Sequence, residues 1–142
     1  QQMKHSKYGI VNWFIRLALE GKPLTIYGTG EQQRDYIYNE DLAEAFLCVA
    51  QTPGTAGEVY NVGSGRGTPF KEMAQLVAAA VPGTEVIQVA WPADRYFVET
   101  GDYISDLTKL TGATSWRRKT SLPEGINRTV AFYREHWQNY WQ

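Results

Sequence analysis

The chain has 142 residues, of which 43% are hydrophobic and 20% charged, so it fits one globular domain of ordinary size rather than a disordered segment. Its 14 basic and 15 acidic residues leave a formal net charge of -1, which gives no electrostatic reason to expect nucleic acid as a partner. A single cysteine, Cys48, excludes an internal disulfide, and two histidines argue against a zinc site; no apolar run reaches the roughly 18 residues of a membrane span, no signal-peptide pattern opens the chain, and the expected compartment is the cytoplasm.

The opening Gln1-Gln2-Met3 puts a methionine behind two glutamines, which reads as a piece of a longer protein. Ile10, Phe14, Leu17 and Ala18 then fall at helical spacing, and Gly21 and Pro23 predict that this helix stops near Glu20. Leu24-Thr25-Ile26-Tyr27 is a short β-prone run closed by Gly28-Thr29-Gly30. A second extended stretch covers 33–38. Asn39 or Asp41 is the expected cap of a helix over about 40–51, with Leu42, Ala45, Phe46 and Val49 on its buried face.

Pro53-Gly54 closes that helix, and Glu58-Val59-Tyr60-Asn61-Val62 reads as a strand. Thr68 as N-cap and Pro69 at the first helical position predict a helix over about 69–80. Residues 85–89 read as a strand, and 91–105 as loop with a short strand near Tyr103-Ile104. Asp106 opens a short helix to Gly112. Ser121 caps a last helix over about 122–138, with Leu122, Ile126, Val130 and Tyr133 on one face and an aromatic end at Trp137, Tyr140 and Trp141. The pattern is mixed α and β, suited to part of an α/β fold but with too few consecutive βαβ units for a full doubly wound sheet.

Several features invite a functional reading and receive a plain one. Gly63-Ser64-Gly65-Arg66-Gly67 sits between a strand and a helix, as a dinucleotide fingerprint would, but G-x-G-x-x-G requires glycine where Thr68 stands, so the reading is a turn. Cys48 reads as a small core residue, His5 and His136 have no partners at ligand spacing, and Arg117-Arg118-Lys119 reads as a solvated turn.

The most specific signal is the run from Lys22-Pro23-Leu24-Thr25-Ile26-Tyr27-Gly28-Thr29-Gly30 through Gln33-Arg34-Asp35-Tyr36-Ile37-Tyr38 to Asp41. It resembles the I/V-Y-G-x-G-x-Q-x-R-D-F/Y-x-Y-V-x-D pattern of the extended short-chain dehydrogenase/reductase family, which contains NAD(P)-dependent nucleotide-sugar epimerases, 4,6-dehydratases and decarboxylases. Phe14-Ile15 through Ala18-Leu19 and Gly21 resemble the family's preceding helix, and Val59-Tyr60-Asn61-Val62-Gly63, Asp106-Leu107-Thr108-Lys109, and finally Trp116, Leu122, Gly125-Ile126 and Tyr133 resemble its later elements in order and spacing. The resemblance covers nearly the whole chain. It implies an α/β fragment of mixed α+β appearance, the C-terminal part of a parent with a Rossmann-like fold, with residues 1–142 as the nucleotide-sugar-binding domain and the dinucleotide-binding domain absent.

What the resemblance implies for chemistry can be stated residue by residue. The ligand is a nucleotide-diphosphate sugar. The segment matching Leu24 to Gly28 runs along the base, with Tyr27 either stacked on it or packed in the core. Arg34 meets the diphosphate, for which a planar fork of donors is suited, or else pairs with Asp35 or Asp41 on the surface. Asp41 is expected as a cap rather than a ligand. Many members carry R-P-G-D or R-P-A-D near Pro92; here Trp91 holds the arginine position, and Arg95 is the candidate substitute.

The family's catalytic Tyr-x-x-x-Lys does not occur, since no tyrosine has a lysine four positions later. NAD(P) therefore belongs to the full-length parent, no cofactor is expected for this chain alone, and its own activity is uncertain. A strand at 58–62 without a neighbouring sheet leads to an expected homo-oligomer or domain swap. The alternative reading is a non-catalytic nucleotide-sugar-binding or structural interaction module.

Overall fold

The computed structural model describes residues 9–93 and 101–140. The chain divides into two compact units, one of residues 1–32, 69–100 and 123–142 and the other of residues 33–68 and 101–122.

The first unit is built on a parallel strand pair, β1 (Leu24–Tyr27) with β4 (Val86–Val89), in the register Leu24 opposite Val86 through Tyr27 opposite Val89. Helices α1 (Ile10–Leu19) and α3 (Phe70–Ala80) pack on β1 and on each other. The inward face of α1 is Asn12, Phe14, Ile15 and Ala18; Ile10 and Leu17, expected on that face, are only half-buried. Phe14 meets Phe70 edge-on at 5.6 Å between ring centroids. The end of α1 is set locally: Gly21 takes φ 70°, the Lys22 N–H donates to the Leu17 carbonyl at 2.8 Å, and the Gly21 N–H donates to that of Ala18 at 3.0 Å. This pair of bonds is the Schellman motif, which uses glycine because the left-handed backbone carries no Cβ penalty there.

Helix α3 starts one residue later than the sequence predicts. Pro69 is its N-cap, without a side-chain cap, because Gly67–Pro69 is instead spent as a strand, β3. The free amides of the first turn find main-chain acceptors: the Phe70 N–H donates to Gln32 at 3.0 Å and the Lys71 N–H to Gly30 at 2.9 Å. The last helix, α5 (Leu122–His136), buries Gly125, Ile126, Val130 and Tyr133 as its periodicity predicts, and a short 3-10 turn follows at Trp137–Asn139. Trp141 lies outside the described residues.

The second unit holds β2 (Gln33–Asp35) paired with β3, helix α2 (Asn39–Gln51) and the short α4 (Thr108–Ala113). Its core is Ala45, Leu110 and Trp116, ringed by Ile37, Cys48, Val49, Tyr60, Val62 and Leu107. Three expectations are corrected here. Phe46 is not on the buried face of α2 but 63% exposed, because Asp41 and Ala45 set the inward direction. Residues 58–62 alternate inward (Tyr60, Val62) and outward (Val59, Asn61) as a strand would, yet they join no ladder among the described residues, since an extended segment becomes a strand only against a partner. Tyr103 and Ile104 likewise form no strand; their segment is tied down by side-chain and main-chain bonds described below.

Candidate functional site

The residues singled out from the sequence divide between the two units. Leu24, Tyr27 and Gly28 belong to the first. Leu24 is wholly buried at 0% exposure and its N–H is taken by the Glu85 carbonyl at 2.8 Å, so its side chain is core. Tyr27 ends β1 half-buried, with the ring of Trp91 at 5.6 Å and a 40° tilt. Gly28 follows with φ 66°, and a Cβ there would collide with the Trp91 indole. Its backbone is pinned on both sides: the N–H donates to the Val89 carbonyl at 2.8 Å, and its own carbonyl accepts from Gln88 Nε2 at 2.6 Å. The glycine is thus required twice, for its left-handed backbone and for the indole that lies on it. Arg95, expected from the sequence as a substitute diphosphate ligand, lies outside the described residues.

Arg34 is in the second unit, on β2. Its Nη1 donates to the Gln33 carbonyl at 2.9 Å and to the Gly101 carbonyl at 2.5 Å. Asp35 and Asp41, the two carboxylates that the sequence offered as surface partners for Arg34, each accept bonds from residues far along the chain. Asp41, only 2% exposed, is not a helix cap: Tyr38 is the N-cap of α2, and the Asp41 carboxylate accepts from the Lys119 N–H at 3.2 Å and the Thr120 N–H at 2.9 Å. Its carbonyl also accepts from the Trp116 indole at 2.9 Å, so one residue fastens 116–120 to α2 from both sides. The sequence motif ending in Asp41 therefore contributes to tertiary structure at that position rather than to helix initiation.

Asp35 is the residue that sequence reasoning missed. One carboxylate oxygen accepts from the Ser64 N–H at 2.6 Å and the Ser64 hydroxyl at 2.5 Å; the other accepts from the Gly65 N–H at 3.1 Å and the Ser105 N–H at 3.0 Å. A Cβ at Gly63 would strike both this carboxylate and the Ser105 hydroxyl. Burial alone pushes the Asp35 carboxyl up, but the Ser64 hydroxyl and the amides of Ser64, Ser105 and Gly65 outweigh it and hold the group below its usual range. The glycine-rich turn thus cradles an anion, and that anion is the chain's own. The Ser64 and Gly65 amides, which a dinucleotide pyrophosphate would need at this turn, are taken, so these residues do not fit the cofactor of the family. The clue in the sequence was the density of small residues at 63–67, but nothing local joins that turn to an aspartate 29 residues before Ser64.

Tyr36, next on the chain, is pushed up to about 12 by burial, with the Arg34 charge opposing, and its hydroxyl has no partner among the described residues. It remains a neutral phenol. Cys48 sits at the rim of the core cluster with Sγ 3.6 Å from the Ser115 hydroxyl. Among the described residues no group of His, Cys, Asp and Glu is placed to hold a metal ion, and no helix is long and apolar enough to cross a membrane.

Comparison with known proteins places these features in a wider set. Residues 1–63 match the model of the NAD dependent epimerase/dehydratase family. The chain is 31% identical over 137 residues to the UDP-glucose 4-epimerase of Mycolicibacterium smegmatis, covering 94% of this chain and 42% of that protein. It is 36% identical over 135 residues to dTDP-glucose 4,6-dehydratase 1 of Escherichia coli, covering 91% of this chain and 37% of that one. The crystal structure of a UDP-glucose 4-epimerase from Thermotoga maritima, solved with UDP-glucose, superposes with a TM-score of 0.79 at 32% identity, covering 91% of this chain and 40% of the other. The chain therefore spans less than half the length of each of these relatives.

Proposed function

The chain belongs to the NAD-dependent epimerase/dehydratase family, the extended short-chain dehydrogenases/reductases, and on that premise we propose that it is the C-terminal part of such an enzyme and holds the nucleotide-diphosphate end of a sugar nucleotide. Arg34 is assigned to the diphosphate, and Tyr27 and Gly28 to the base. The observation that carries this reading is Arg34 itself: it stands in the motif shared with the family, and its Nη1 is fixed by two carbonyls. A guanidinium held in place by main-chain acceptors loses little further entropy when it meets a phosphate oxygen.

In this reading the NAD(P) and the Tyr-x-x-x-Lys pair of the intact enzyme are supplied from outside these residues. NAD(P) would supply hydride chemistry at the sugar carbon that bears the reacting hydroxyl. The work of this chain is then to bind and orient the substrate rather than to move the hydride. The protein is assigned to the cytoplasm. The 58–62 segment, with Val59 80% exposed and no ladder partner among the described residues, supports self-association or pairing with a missing sheet.

The test is thermal stability of the chain with UDP-, dTDP-, GDP- and CDP-sugars, for the wild type and Arg34→Ala. A nucleotide that binds the folded state at about 100 times its Kd stabilises by roughly 2.7 kcal/mol, which is a shift of several degrees. A shift with one base, lost in the variant, is the expected result. A shift that survives Arg34→Ala would remove Arg34 from the site. No shift with this chain, but one with the intact parent, would assign binding to the combined halves.

A further inference from the structure

Strand β2 is fastened to residues 101–105 by all three of its residues. The Gln33 N–H donates to Asp102 Oδ1 at 2.7 Å, and the Gln33 carbonyl accepts from the Tyr103 N–H at 3.1 Å. Arg34 Nη1 grips the Gly101 carbonyl at 2.5 Å. Asp35 takes the Ser105 N–H at 3.0 Å with the same oxygen that holds the Gly65 N–H, while its other oxygen takes both donors of Ser64. Successive residues on a strand point to opposite sides. Arg34 and Asp35 therefore hold the two ends of one five-residue segment, Gly101 and Ser105, from the two sides of β2. Asp35 also reaches the Gly63–Gly65 turn, where the absence of a side chain at Gly63 lets its carboxylate come close.

We propose that Asp35 is a positioning residue for Arg34: by anchoring Ser105 to the Gly63–Gly65 turn, it fixes the 101–105 segment, and with it the Gly101 carbonyl that sets the pose of the Arg34 guanidinium. This rests on the assignment of Arg34 to the substrate diphosphate for its functional consequence, but the positioning itself is a property of the free protein. Four donors converge on Asp35, so its charge is what this turn and segment share. Remove that charge and the Ser64, Gly65 and Ser105 donors lose the acceptor they share, so the Ser105 end of the segment loses its tie to the turn while Asp102 and Tyr103 keep their bonds to Gln33. A carboxylate that merely stabilised the unit would lower stability without moving Arg34.

Two measurements on the 142-residue chain separate the inference from the assignment it builds on. In the free protein, the Arg34 Nε–Hε and the Gly101 and Ser105 amide resonances are followed by NMR in the wild type, Asp35→Asn and the milder Ser64→Ala, which removes only the hydroxyl donor. Asp35→Asn is expected to displace the Arg34 and Gly101 signals and to speed hydrogen exchange at Ser105, with Ser64→Ala moving them the same way by less. Ser64→Ala also serves if Asp35→Asn does not fold. Unmoved Arg34 and Gly101 signals in a folded variant overturn the inference, whatever happens with nucleotide. In the second arm, affinity for whichever nucleotide sugar binds is measured in a cycle of Asp35→Asn and Arg34→Lys. The expected result is a loss of about 3- to 10-fold for Asp35→Asn that disappears in the Arg34→Lys background. Additive losses overturn the inference; if the wild type binds no nucleotide sugar, the diphosphate assignment fails and the NMR arm alone decides the positioning role.

Discussion

The indole of Trp91 lies on Gly28, at the point where the chain leaves β1, and the space it fills is the one a side chain at position 28 would need. This relationship ties two strand ends together, because Gly28 follows β1 and Trp91 follows β4. At the same point the chain presents an aromatic face, with the Trp91 ring packed beside Tyr27.

Gly28→Ala is expected to destabilise the protein on two counts. The left-handed backbone at φ 66° costs an L-residue roughly 1–2 kcal/mol, and the new methyl must displace the indole. Placed in a Trp91→Ala background, the same change should cost only the first amount. Urea unfolding of the four proteins gives the answer; equal costs in the two backgrounds would show that the indole does not determine the need for glycine.

Asp41→Ala should be among the most damaging single changes in the second unit. It strands the Lys119 and Thr120 amides, whose acceptor is 2% exposed, and loss of a buried acceptor costs about 1–3 kcal/mol per orphaned donor. A total of about 2–6 kcal/mol is expected by urea melt. Asp41→Asn, which keeps an acceptor oxygen, should cost clearly less. If Asp41→Ala proved nearly neutral, the tie between α2 and 116–120 would not be a source of stability.

Asp35 should make stability depend on pH in one direction only. Its folded pKa is depressed below the ordinary 3.8, so the unfolded chain takes up a proton at higher pH than the folded one. The stability it contributes is therefore complete above the ordinary value and is lost as pH falls through the lower folded value. The gap in unfolding free energy between wild type and Asp35→Asn should be widest near about pH 6 and should narrow below about pH 4. A gap that stays constant across that range would mean that the carboxylate charge is not what the turn holds.

Much of this protein is legible in its sequence because the signals are local. The end of α1 follows from Gly21, which supplies a left-handed residue within one turn of the carbonyls it closes. The inward face of α5 follows from the spacing of Ile126, Val130 and Tyr133. Strands β1 and β4 follow from short β-prone runs bounded by glycine and proline, and the motif around Arg34 leads to the family. Each of these rests on backbone geometry or periodicity that a stretch of a few residues carries by itself.

Tertiary structure decided the rest, and for one physical reason: a donor or an apolar face does not specify its partner. The sequence makes 58–62 extended and alternating, but only a neighbouring strand could turn it into part of a sheet. It places a carboxylate at the start of α2, but whether Asp41 caps the helix or holds Lys119 and Thr120 depends on what folds back against it 78 and 79 residues later. It gives a glycine-rich turn rich in amide donors, and the fold fills that turn with Asp35 in place of a phosphate. The same residues would read identically with a ligand there; the position of one side chain settles the matter.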